Sequence, residues 1–250
     1  MISVITCCRH PMPQSIHEKN IAKTVGAPCE YVPIDGTNGA STAALLNFGI
    51  SRSCGDIVVF LPEDVYFMKT GWGEVLKRKF ADPSIAAVGV AGTQYLSATS
   101  ASLTAAGRPF IKGRVVYHLQ NGDFFAVVFS QELGDFEVVA LDGAFIAVRA
   151  AHLAHAWFDQ ETFDGEHLAD LDLCMQLRKC GRLLATTEVV VKKRIPLQID
   201  PAWQEYSRRF LDKWSVELPA ACVDAVPDPQ HFVSSQCVNL LGKVPTETIC

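Results

Sequence analysis

DIVVFLPEDV, residues 56–65, sets the reading of the whole chain: an apolar run through Leu61 stops abruptly at Pro62 and two carboxylates, Glu63 and Asp64. Continuous Ile, Val and Phe marks a strand buried on both faces, as in a parallel sheet. Ligands of open α/β sheets sit beyond the carboxyl ends of the strands, so the two acids stand where a metal or a substrate would bind. The plain structural alternative is a solvated strand-to-helix turn in which Asp64 accepts backbone hydrogen bonds.

Working outward, strands and helices alternate. Upstream, residues 2–7 read as a strand and 14–25 as a helix. Residues 30–34 form a second strand closing in Asp35-Gly36, and turn and capping residues 37–41 lead into a small-residue helix over 41–52. Downstream, a helix is expected over 71–80 and a buried strand over 85–90, followed by a Ser-, Thr-, Ala- and Gly-rich stretch, 94–110, expected to be a mobile loop. Residues 111–119 and 124–129 flank Asn121-Gly122, a hairpin signal. A strand over 136–141 ends in Asp142-Gly143, and 144–148 is a short apolar run.

Residues 157–184 begin as an acidic, aromatic loop and continue as a helix over 167–180, with Leu168, Leu171, Cys174, Met175 and Leu177 on one stripe and Gly181 as its stop. A strand over 188–191 then precedes the basic triplet Lys192-Lys193-Arg194, and 201–214 reads as an amphipathic helix. The expected fold is α/β: a mostly parallel central sheet flanked by helices, joined by right-handed crossovers, with a small antiparallel hairpin region. One domain is expected over 1–217, with halves 1–92 and 93–217, and an irregular extension over 218–250.

The chain of 250 residues carries a formal net charge of −5, which argues against nucleic acid or an anionic membrane as its main partner. Residues 1–8 read as a strand and not as a signal peptide, no apolar run reaches the about 18 residues needed to span a bilayer, and a cytoplasmic location is expected. Nine cysteines lie scattered without any CxxC spacing, which favours reduced thiols over a zinc site. Neither GxGxxG nor GxxxxGK[ST] occurs, so no dinucleotide fingerprint or P-loop is present.

Acidic residues recur at strand ends and helix starts: Asp35, then Glu63 with Asp64, then Asp170 and Asp172. Strand ends of a parallel sheet share one edge, where these groups can converge. Two helical residues two apart point about 200° away from each other, so Asp170 and Asp172 cannot serve one ligand. One is expected to be catalytic and the other structural or solvated. Among the histidines none has ligand spacing, and His167 is nearest the candidate site.

Read in order from residue 2 to about 214, the strand ending in Asp35, the Asn47-x-Gly49 helix, VVFLPEDV at 58–65, LDGAFIAVR at 141–149, FDGEHLADLDLCMQLRKCG at 163–181 and FLDKW at 210–214 resemble the motifs of family 2 type glycosyltransferases with the GT-A fold. The resemblance implies a sugar donor attached to a nucleotide, a uridine diphosphate sugar by analogy, and an acceptor hydroxyl. Asp35 would then bind the base or ribose. Pro62-Glu63-Asp64 stands at the family's Asp-x-Asp motif, so Asp64, with Glu63 turned inward, would hold Mn²⁺ or Mg²⁺ against the diphosphate; hard cations suit such oxygens.

Asp142 and Gly143 would lie on the acceptor side with His167, and Asp170 would be the general base of an inverting transfer. The chain departs from the pattern twice. Pro62 replaces the first acid, and Lys192 and Lys193 stand where many relatives carry a metal histidine, so cations could meet the diphosphate directly. The other reading is a protein that binds a nucleotide or nucleotide sugar on this fold without turnover. A nucleotidyltransferase is disfavoured, because the loop after the first strand, Cys8-Arg9-His10-Pro11, lacks Gly-rich basic character.

Overall fold

The computed structural model describes residues 1–10, 14–118, 124–194 and 201–225. In chain order the elements are β1 (Ile2–Cys8), α1 (Gln14–Thr24), β2 (Cys29–Asp35), α2 (Thr42–Arg52), β3 (Ile57–Phe60), β4 (Val65–Phe67), α3 (Trp72–Lys79), β5 (Ile85–Gly89), β6 (Ala91–Thr93) and β7 (Tyr95–Leu96). They continue with β8 (Ile111–His118), β9 (Phe124–Val128), β10 (Asp135–Val138), β11 (Ala140–Leu141), β12 (Ile146–Arg149), α4 (Ala169–Leu177), β13 (Arg182–Thr186), β14 (Val191–Arg194), α5 (Ala202–Lys213) and β15 (Ala220–Ala221).

The central sheet has the order β10-β13-β5-β12-β3-β1-β2. β1 runs parallel to β2 and β3, and β13 parallel to β5, while β12 is antiparallel to both β3 and β5 and β10 is antiparallel to β13. Five of its seven strands therefore run in one direction, while three of its six pairings are parallel and three antiparallel. Its apolar runs alternate between two cores: Ile5, Val58 and Phe60 face one, toward α2 and α4, and Ile2, Val4, Ile57 and Val59 face the other, toward α1 and α3. Burial on both faces is why these strands are continuously apolar.

A second sheet, β11-β6-β8-β14-β4 with β9 on β8, grows from the first, since β5 and β6 are separated only by Val90 and β10 and β11 only by Val139. At its edge, β4 leaves backbone groups that α1 covers. Asn20 donates to the Phe67 carbonyl (3.0 Å) and accepts from the Phe67 N–H (2.8 Å), and His17 meets the Val65 carbonyl at 2.8 Å. Burial holds His17 below its usual pKa. Side chains thus stand in for a missing strand and blunt the edge.

Several expectations are corrected. Of the strand placed at 188–191 only Val191 lies in a strand, β14, which runs on through the basic triplet, while β13 lies upstream in a stretch where no strand is expected. The segment 94–110 is packed: Leu96, Ala101, Ala106 and Phe110 are buried, and β7 pairs with β15. The helix begins at Ala169 and not at 167, because Leu168 takes a left-handed φ of 63°. Elsewhere Ser41 caps α2 by accepting from the Ala44 N–H at 3.2 Å. β8 and β9 pair antiparallel as expected, but the turn at 119–123 lies outside the described residues, as does the proposed extension from 226 onward.

Candidate active site

At the carboxyl ends of β1 and β3 lies a cavity of about 870 Å³. Its walls bring together Glu63 and Asp64 from just beyond β3, Asp142 and Gly143 from the end of β11, His167 from the loop before α4, Asp170 from the first turn of α4, and Lys193 from β14. These residues are spread over 131 positions (193 − 63 + 1), and the sheet order makes them neighbours.

Asp170 is partly exposed to the cavity at the first turn of α4, with one carboxylate oxygen accepting from the Leu171 N–H at 2.9 Å. Burial raises its pKa and the neighbouring Asp142 carboxylate raises it further, while the Leu171 N–H and the Lys193 ammonium oppose the shift. A general base works best with a pKa near the operating pH, so the displacement is in the useful direction. Gly143 allows this packing: a Cβ there would stand 2.1 Å from Asp170 Oδ2. Asp142 is fixed in its turn by accepting from the Ala144 N–H at 2.8 Å.

The electrostatics give a pH prediction. Because the Asp142 charge helps raise the Asp170 pKa, Asp142→Asn is expected to move the acid limb of the kcat/KM profile to lower pH. Measured pH–rate profiles of the two proteins test this; a limb that stays in place or moves upward contradicts it.

Asp172, two residues on, points the other way and is fully buried. It accepts from Trp214 Nε1 (2.8 Å), Lys213 Nζ (2.7 Å) and Gln176 Nε2 (2.8 Å), tying α4 to α5. Asp172 is thus a structural member of the α4–α5 packing, while Asp170 is the one of the pair that lines the cavity.

Glu63 is turned toward the protein and not toward a metal position. One oxygen accepts from the backbone N–H groups of Arg9 (3.1 Å) and His10 (3.4 Å), and the other meets His10 Nδ1 at 2.6 Å. Asp64, half-buried, forms no hydrogen bond or ion pair among the described residues, and these residues contain no group of three His, Cys, Asp or Glu side chains able to hold a metal ion. With Pro62 unable to ligate and Glu63 engaged on both oxygens, the donor set does not fit the expected Mn²⁺ or Mg²⁺ site on Glu63 and Asp64.

The two lysines assigned to the diphosphate separate. Lys193 lines the cavity, as does Arg194 at the end of β14, while the Lys192 ammonium lies 5.7 Å from the Tyr66 ring centroid, outside it. Asp35 is exposed at the end of β2, outside the cavity wall, where it accepts from the Thr37 N–H (2.9 Å) and hydroxyl (2.7 Å), bonds that lower its pKa. The His167 ring lies tilted at 53° to the Tyr206 ring, with centroids 6.0 Å apart.

The sequence reading gave no role to Arg9. Its guanidinium donates to Thr42 Oγ1 (3.0 Å) and pairs with Glu166 (3.3 Å), bracing the cavity between β1, α2 and the loop before α4. A cation directly after a strand whose neighbour ends in two acids was the available signal.

A glycosyltransferase-like family model matches residues 3–214. Among solved structures, a mannosyltransferase from Pyrobaculum calidifontis, in complex with GDP-Man and Mn²⁺, superposes with a TM-score of 0.53 at 15% identity, covering 94% of this chain and 68% of that one. GalNAc-T7 with UDP, GalNAc and Mn²⁺ gives 0.56 at 12%, covering 86% and 47%. TarS of S. aureus gives 0.51 at 13%, covering 94% and 42%. The chain thus spans less than half the length of the last two, and at these identities the likeness is one of fold. None of the curated proteins compared with the chain matches it.

Proposed function

Since the chain belongs to the glycosyltransferase-like family whose model spans residues 3–214, we propose that it transfers a sugar from a nucleotide donor to an acceptor hydroxyl with inversion, using Asp170 as general base. The observation that carries this reading is the Asp170 carboxylate, its pKa raised, facing an 870 Å³ cavity beside Asp142 and Gly143. A uridine diphosphate sugar is the proposed donor.

In the proposed step the acceptor O–H gives its proton to Asp170 as its oxygen bonds to the anomeric carbon. The bond from that carbon to the nucleoside diphosphate breaks, and the departing phosphate oxygen takes the electron pair. Attack from the face opposite the leaving group inverts the configuration. Asp142 and His167, which line the cavity, are the proposed contacts for the acceptor, and Gly143 lets Asp170 sit close to the strand end. Asp35, at the tip of β2, is the proposed contact for base or ribose. A cytoplasmic location is part of the same proposal and rests on the scattered cysteines.

Titration calorimetry with UDP-sugars and GDP-sugars tests the donor assignment. Saturable binding of at least one donor, with the UDP form tighter, is expected; failure of all common donors to bind would overturn the reading.

A further inference from the structure

Any group that receives a nucleoside diphosphate must answer its negative charge, and two arrangements can do so: a divalent ion held on carboxylates, or fixed side-chain cations. Here the first is dismantled residue by residue. Pro62 has no side-chain ligand atom, and both oxygens of Glu63 are turned to the Arg9 and His10 N–H groups and the His10 ring, leaving the Asp64 side chain alone.

The second arrangement is built into the sheet. β14 is hydrogen-bonded between β4 and β8, with Lys193 opposite Val65, the residue immediately after Asp64, and opposite Tyr117 on its other side. A strand held on both sides sets the Cα–Cβ direction of its residues, and Lys193 is thereby placed on the wall beside the end of β3. Arg194, at the end of β14, lines the same cavity. Arg9 is already engaged with Thr42 and Glu166, so among the described residues that line the cavity Lys193 and Arg194 are the lysine and arginine left to act on a ligand.

Resting on the donor reading above, we propose that this chain binds the diphosphate of its nucleotide donor without a divalent cation, with Lys193 as the principal counter-charge and Arg194 as the second. The ammonium acts as a compact point charge and the guanidinium as a two-pronged donor to phosphate oxygens. Asp64 then has the opposite role from a metal ligand: its negative charge stands near the phosphates and weakens their binding.

The test is calorimetry with UDP and GDP on the full chain, in EDTA and in Mn²⁺, for wild type, Lys193→Met and Asp64→Asn. Wild type is expected to bind equally in both buffers, Lys193→Met about tenfold or more weaker in EDTA, and Asp64→Asn as tightly as wild type or tighter. Binding that appears only with Mn²⁺, or is lost in Asp64→Asn, overturns the metal-free proposal and leaves the donor reading standing. Absence of binding in both buffers overturns the two together. Arg194→Met provides a second cation variant should Lys193→Met fail to fold, with the same direction expected.

Discussion

Asp170→Asn is expected to lower kcat by about 10²- to 10⁴-fold, the usual contribution of a positioned general base, while nucleoside diphosphate affinity is kept. The amide has nearly the same shape and cannot accept the acceptor's proton. Stability should move the other way. The folded state raises the Asp170 pKa, so Asp170 favours folding while protonated and becomes unfavourable as pH rises through the raised value. At neutral pH the amide removes that penalty, and the variant should melt at the same temperature as wild type or higher.

A carboxylate that only complemented the α4 macrodipole would behave differently: turnover would be unchanged and stability would fall by about 0.3–1 kcal/mol. Transfer assays, melting curves and calorimetry on one pair of proteins therefore separate the two roles. Absence of transfer and of donor hydrolysis by the wild type, with donor binding kept, would favour the reading in which the fold binds nucleotide sugars without turning them over.

Asp172→Ala, by contrast, is expected to destabilise the fold by about 3 kcal/mol, a large part of the roughly 5–15 kcal/mol by which domains are stable. Truncation empties a fully buried position and strips partners from the Trp214 indole and Gln176. Lys213 keeps its 2.8 Å pair with Asp159, which holds the loss below that of a completely orphaned charge. Asp172→Asn preserves an acceptor for Trp214 and should lose less. Urea denaturation checks both, and a loss under about 1 kcal/mol for the alanine variant contradicts the anchoring role.

Much of the fold was legible in local pattern. The both-faces-apolar run of β3, the Ser41 cap of α2 and the apolar stripe of α4 each depend on residues close in sequence, where the periods of 2 and 3.6 act directly. The opposed directions of Asp170 and Asp172 followed from the same period. β14 was not legible, since three consecutive cations carry no alternating signal and only its pairing with β4 and β8 makes a strand of them. β13 was missed because Leu183-Leu184-Ala185 directly after a helix stop suits helix and strand alike.

Local pattern was enough for most element types, the α/β class and the set of acids at strand ends, because side-chain period and turn chemistry are local properties of the chain. The tertiary structure alone decided which of those groups share a cavity. It put Lys193 inside and Lys192 outside, tied Glu63 to His10, set Gly143 against Asp170 and buried Asp172 under Trp214. Each of these follows from which strands and helices lie side by side, a choice made by packing between segments far apart in sequence, on which local periodicity is silent.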